Sequence, residues 1–153
     1  QMKRSAGILL YKKIDGDLYV FLVHPGGPFW KSKDLGSWSI PKGEFTGDEE
    51  PLAAALREFE EETGVVPEGD FQELRPVSLK SGKLILAWAA EGDLDESLIV
   101  SNTFDMEWPP GSGKMSSFPE VDRAGWFPVN EALKKVNPAQ AELIYQLVRS
   151  APE

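Results

Sequence analysis

The sequence predicts a single α/β domain, on three observations. Two apolar runs near the start, residues 3–13 and 18–23, flank Ile14-Asp15-Gly16-Asp17. Asp-Gly between two apolar runs is a hairpin signal. A long stretch at about residues 49–63 has helical apolar spacing. Further strand-like runs then give way to two shorter helical patterns. At 153 residues the chain is one domain, large enough to bury a substantial core.

In chain order, the hairpin pairs Ile8, Leu9, Leu10 and Tyr11 with a return strand apolar enough to be central. His24-Pro25-Gly26-Gly27-Pro28-Phe29-Trp30 reads as a rigid loop, because its prolines and glycines punctuate the chain. Trp38 and Ile40 alternate, so a short strand delivers Pro41-Lys42-Gly43 to the helix. Asp48 or Glu49 can cap that helix, Pro51 suits its first turn, and Gly64 is its C-terminal stop. Residues 71–79 and 83–91 read as a second hairpin joined at Ser81-Gly82, with Trp88 in the core. Residues 98–106 are a further strand. Residues 107–119, with Trp108-Pro109-Pro110-Gly111-Ser112-Gly113, read as a long loop of the kind that shapes specificity. A strand over 120–127 follows. Asn130 caps a short helix to Val136, and Asn137-Pro138 opens a last one, with Leu143, Ile144, Leu147 and Val148 inward.

The long helix carries two stripes. Leu52, Ala55, Leu56 and Phe59 fall at i, i+3, i+4 and i+7, while Glu58, Glu61 and Glu62 fall at i, i+3 and i+4. At about 100° per residue the acidic stripe is centred well away from the apolar one. Three carboxylates on one face repel, and a helix C-terminus prefers cations. A divalent cation reverses that sign, and an all-oxygen carboxylate set suits Mg²⁺ or Mn²⁺.

Around this stripe the spacing is Gly43, five residues, Glu49, seven residues, Arg57-Glu58-Phe59, one residue, Glu61-Glu62, one residue, Gly64-Val65. That pattern over residues 43–65 resembles the Nudix box, and the chain is identified as a member of the Nudix hydrolase family. Phe59 is the one soft departure, at a position where the family prefers an aliphatic residue. The resemblance implies a mixed β-sheet sandwiched between helices over residues 1–153. It implies metal-assisted hydrolysis of a diphosphate linkage in a nucleoside diphosphate joined to another group. Glu58, Glu61, Glu62 and the Gly43 carbonyl match the family's metal ligands. Arg57 and Glu49 match a pair that braces the loop. The water is activated by a carboxylate, with Glu61 the first choice and Glu120 and Glu107 the later-loop candidates. The cofactor implied is Mg²⁺ or Mn²⁺.

Lys42 is a candidate phosphate contact beside the Gly43 carbonyl. Trp30 and Phe29 are candidates to stack a nucleobase. Trp38 and His24, the one histidine, are candidate substrate contacts, with a structural role the alternative for His24. The tract WSIPKGE resembles the lead-in of Nudix hydrolases of the diadenosine polyphosphate class. A nucleoside or dinucleoside polyphosphate is therefore the expected substrate. The alternatives are ADP-ribose, a damaged nucleoside triphosphate, an inositol pyrophosphate, or a module that binds a nucleotide as regulator without hydrolysing it.

Composition narrows the partners. The absence of cysteine excludes disulfides and thiol catalysis, and fits a reducing, cytoplasmic compartment. The net charge is −9, and six of the 25 acids lie between Glu49 and Glu62. Such a field disfavours long nucleic acid and suits a small anion arriving with its metal. No apolar stretch is long enough to span a bilayer. A homodimer is compatible with the sequence.

Overall fold

In a computed structural model the described residues are 3–150; the outermost residues of the expected domain lie outside them. The elements are β1 (Arg4–Ile14), β2 (Asp17–Pro25), β3 (Lys42–Phe45), α1 (Pro51–Thr63), β4 (Gln72–Glu73), β5 (Val77–Ser78), β6 (Leu84–Glu91), β7 (Thr103–Glu107), β8 (Met115–Pro119), β9 (Val121–Pro128), α2 (Val129–Lys135) and α3 (Ala141–Ser150). Among the described residues the main sheet has seven strands, with β4-β6-β1-β2-β9 as its path, β3 against β1 and β5 against β6. It is mixed, since β1 runs parallel to β6 and antiparallel to β2 and β3.

Two apolar cores lie on opposite faces of the sheet, because successive side chains of β1 point opposite ways. Ala6, Ile8 and Leu10 join Phe21, Phe45, Ala54, Ala55 and Phe59 under α1. Leu9 joins Leu22, Trp38, Ile40, Leu143, Ile144 and Leu147 under α2 and α3. The α/β/α sandwich implied by the resemblance is thus present. No described helix is long and apolar enough to cross a membrane.

Several elements differ from expectation for identifiable reasons. The helix begins later than expected, at Pro51, and Glu50 caps it by accepting the Ala53 N–H at 2.8 Å. Asp48 and Glu49 were the expected caps, but Glu49 is occupied by Arg57. The strand that delivers Gly43 is β3, bonded to β1, whereas Trp38 and Ser39 make only isolated bridges. The run 71–79 splits into β4 and β5. Of the expected strand 98–106 only the part from Thr103 on is strand, β7, and a 3-10 turn over Glu96–Leu98 precedes it. The expected long loop 107–119 is the far end of a second, two-stranded sheet, β7 with β8. Val148 is exposed while Leu143, Ile144 and Leu147 are buried. Asn130 makes no helix cap; Pro128 holds that position. The Asp15-Gly16 turn and the left-handed Gly64 stop are as expected.

Phe59 explains the soft departure in the motif. It is fully buried and meets Phe21 at 6.1 Å between ring centroids, filling the core between α1 and the sheet. Phe59→Ala is expected to cost about 3–5 kcal/mol, read as a lower urea midpoint with an unchanged slope.

Candidate active site

The site is built where α1 lies across β3. Gly43 stands directly beneath Glu58, and a Cβ there would overlap the Glu58 carboxylate. The glycine is needed for this close approach, which buries the Glu58 side chain beside the backbone. The acidic stripe therefore does not face open solvent. Glu58 shares the buried face of α1 with Ala54, Ala55 and Phe59, closer to the apolar stripe than the sequence implies.

Arg57 organises the carboxylates. Its Nε and Nη2 donate to the two oxygens of Glu49, at 2.7 and 2.9 Å, a bidentate pair. Its Nη1 donates to Oε1 of Glu58 at 3.0 Å and to Oε2 of Glu61. Each of these two glutamates thus spends one oxygen on Arg57 and keeps the other. The Glu49 contacts push the guanidinium pKa further up, so its charge is fixed, and they hold Glu49 below its ordinary value.

Glu62 and Lys42 form a second, half-buried part of the site. Burial pushes the Glu62 carboxyl up from 4.5 to about 8, against the opposing charge of Lys42 and the hydrogen bond from the Lys42 backbone N–H, while Glu58 and Glu120 push it up further. Burial also depresses the Lys42 ammonium, against the opposing pull of Glu62. Desolvation therefore outweighs the mutual attraction of this pair. Burial and then the Glu61 charge raise Glu58, opposed by Arg57. Glu120 is raised by burial and by Glu61. Lys42, Glu62 and Glu120 line a cleft of about 120 Å³ with Pro25, Ser39 and Val121.

Glu120 reaches this cleft through a contact absent from the sequence pattern. The C-terminal carbonyls of α1 would be left without partners. The Val100 N–H donates to the Thr63 carbonyl at 2.9 Å and the Asn102 N–H to the Glu61 carbonyl at 2.7 Å. The Glu120 N–H donates to the Asn102 carbonyl at 2.8 Å. The chain that caps the helix thus also fixes Glu120 beside it.

Other candidates are placed elsewhere. His24 is 0% exposed, with Nδ1 at 2.7 Å from Asp122 and Nε2 at 2.7 Å from the Lys33 carbonyl. Neither nitrogen is left for a substrate, so its role is structural. Trp38 is 4% exposed and its indole N–H donates to Asp34 at 2.7 Å, so it packs the core and offers no face to a ligand. Glu107 is committed to its own turn, accepting the Gly111 and Gly113 N–H groups at 3.0 and 2.9 Å. Trp30 and Phe29 are exposed on the loop beyond Pro25. Trp108, for which the sequence suggests no individual role, meets Phe29 edge to face at 5.4 Å.

Among the described residues no three acidic, histidine or cysteine side chains already converge on one point. The donor set still fits a hard divalent cation. It offers carboxylate oxygens that Arg57 leaves unbound, two carboxyls desolvated beside like charges, and, beneath Glu58, a glycine backbone with no side chain of its own.

The α/β/α fold and the acidic helix with its close glycine are those of one family of known proteins. The NUDIX domain model matches residues 2–147, and the chain belongs to that family. Divalent metals are the family's usual cofactors. Among curated relatives, the bis(5'-nucleosyl)-tetraphosphatase (asymmetrical) of Rattus norvegicus is 32% identical over 99 residues, covering 58% of this chain and 64% of that protein. The match thus spans a little under two-thirds of the relative. An RNA pyrophosphohydrolase of Xylella fastidiosa is 40% identical over 50 residues, covering 32% of this chain and 26% of that protein. Among solved structures, the NUDIX domain of Shewanella oneidensis NrtR complexed with ADP ribose superposes with a TM-score of 0.70 at 20% identity, covering 99% of this chain and 90% of that one. A C. elegans Ap4A hydrolase binary complex gives 0.66 at 18%, covering 95% and 96%. At these identities the structural likeness establishes the fold.

Gly43→Ala is expected to lower stability by about 1–3 kcal/mol, because the new methyl must displace Glu58 or part α1 from β3; thermal unfolding of the metal-free protein reads it. Glu62 gives a pH signature. Its folded-state pKa lies above the unfolded one, so folding takes up a proton and stability falls as pH rises from 4.5 to about 8. Without divalent cations, Glu62→Gln should therefore melt higher than the wild type at pH 9. That advantage should vanish toward pH 4, and a pH-independent difference would contradict the burial of this charge.

Proposed function

We propose that this protein hydrolyses a diphosphate linkage in a nucleoside or dinucleoside polyphosphate, with Mg²⁺ or Mn²⁺ as cofactor. The observation that carries the proposal is Glu58 buried against Gly43 and braced by Arg57, with the largely desolvated Glu62 and Lys42 alongside. Two desolvated carboxylates held near each other are unfavourable as a purely structural arrangement. A cation and an anionic phosphate chain make the arrangement favourable. The matches to tetraphosphatase and pyrophosphohydrolase sequences support the same reading.

Glu58, Glu61, Glu62 and the Gly43 carbonyl would hold the cation, which would supply positive charge against the diphosphate oxygens and activate water. Arg57 keeps Glu58 and Glu61 oriented through one oxygen of each, so their free oxygens stay directed. Lys42 lines the cleft and provides a point charge to a phosphate oxygen. Its depressed pKa means that the arriving anion strengthens its charged form.

Two observations support Glu120 over Glu61 as the group that takes the proton from the attacking water. One oxygen of Glu61 is committed to Arg57, and the other is a candidate ligand of the cation. Glu120 lines the cleft, and its pKa is raised toward the range in which a carboxylate accepts a proton well. Glu107, bound within its turn, has no part in this step.

A panel of dinucleoside polyphosphates, nucleoside triphosphates, ADP-ribose and inositol pyrophosphates, assayed with Mg²⁺ for released phosphate and pyrophosphate, tests the proposal. Turnover is expected for the nucleoside polyphosphates. Glu62→Gln and Glu120→Gln should each reduce kcat by roughly 10²- to 10⁴-fold while remaining folded by circular dichroism. Preferred turnover of inositol pyrophosphate or ADP-ribose would replace the substrate assignment, and near-normal kcat in both variants would overturn the site.

A further inference from the structure

We propose that Phe29 and Trp108 form a platform on which the nucleobase of the substrate stacks. The inference rests on the nucleotide reading above and specifies how that substrate is recognised.

The two rings come from segments far apart in the chain. Phe29 lies on the loop after β2 and Trp108 at the tip of the β7–β8 hairpin, yet their centroids are 5.4 Å apart with planes at 87°. Perpendicular rings make a corner, in which a flat heterocycle can stack on one face and abut the other ring. Phe29 is 57% exposed, and the neighbouring Trp30 is 39% exposed. Scattered exposed aromatics are ordinary on a protein surface. Two that meet across separate segments, each on a braced backbone, are not scattered.

The bracing is specific. The Gly26 N–H donates to the Glu120 carbonyl at 2.9 Å, and Gly27 lies against the ring of Phe104 on β7. At the hairpin tip, Glu107 accepts two glycine N–H groups and the Trp108 N–H donates to the Lys114 carbonyl at 2.9 Å. Both rings are therefore presented by backbone that is fixed before any ligand arrives, which lowers the ordering cost of binding.

Charge and position agree. In a chain of net charge −9, Lys31, Lys33 and Lys114 adjoin the two aromatic segments. Lys33 Nζ sits 4.9 Å from the centre of the Trp30 ring, and Lys31 and Lys114 have no ion pair among the described residues. Pro25, which precedes the loop that carries Phe29, and Glu120, which follows the hairpin that carries Trp108, both line the cleft. Glu107 pairs with Met115 and Thr103 with Pro119, so Trp108, one residue beyond Glu107, stands roughly 17 Å along the hairpin from its base at about 3.4 Å per residue. A base held there reaches the carboxylates through its sugar and a chain of phosphates. That geometry favours a nucleoside polyphosphate over a compound with a single phosphate.

The test compares calorimetric binding of a methylene-bridged, non-hydrolysable nucleoside triphosphate with binding of inorganic tripolyphosphate, both with Mg²⁺. The wild type should bind the nucleotide roughly tenfold or more tightly than tripolyphosphate, the effect of one stacked base. Phe29→Ala and Trp108→Ala should each lose most of that preference while keeping the tripolyphosphate affinity, and Trp108→Phe should restore it. The nucleotide should quench part of the wild-type indole fluorescence that is absent in Trp108→Phe. Phe29 is largely exposed, so its truncation reads the platform even if Trp108→Ala loosens the hairpin. Variants that keep the full preference overturn the platform. A wild type that turns over nucleotides but binds them no better than tripolyphosphate overturns the platform alone. A wild type that neither binds nor hydrolyses any nucleotide overturns both readings.

Discussion

The structure depends on one close approach, that of α1 to β3 at Gly43. The absence of a side chain there lets the helix settle onto the strand until the Glu58 carboxylate meets the backbone. That contact buries Glu58 and brings Glu62 against Lys42. It also aligns Phe59 with the core under the sheet. The apolar packing of Ala54, Ala55 and Phe59 supplies the favourable energy. The desolvated carboxylates oppose it, and Arg57 offsets part of that opposition with its contacts to Glu49, Glu58 and Glu61. Stability and site are thus set against each other on one helix, as is common where charge is arranged for a ligand.

The same helix organises the region around it through its C-terminus. Its last carbonyls are satisfied by Val100 and Asn102, and those bonds place the base of the β7–β8 hairpin against the site. Glu120 is carried to the cleft on one side of that hairpin, and Trp108 is carried outward at its tip. The loop after β2 follows the hairpin through Gly26 and Gly27. The carboxylates and the Phe29–Trp108 ring pair therefore share one scaffold, although no short stretch of sequence contains both.

The sequence alone determined the class of fold, the helix and the identity of the acidic set. Those features are local: helical spacing, a left-handed glycine stop and fixed motif distances leave their mark within 23 residues, from Gly43 to Val65. The hairpin turn at Asp15-Gly16 was legible for the same reason. Tertiary structure decided what the chain separates widely. His24 and Trp38 read as contacts for a substrate until the fold enclosed them with Asp122, Lys33 and Asp34. Glu107 and Glu120 were equivalent in sequence, and only the turn of the hairpin and the end of α1 distinguish them. Trp108 had no individual signal, because its meaning lies in Phe29. Periodicity and caps are written residue by residue, whereas burial and pairing depend on which distant surfaces the folded backbone brings together.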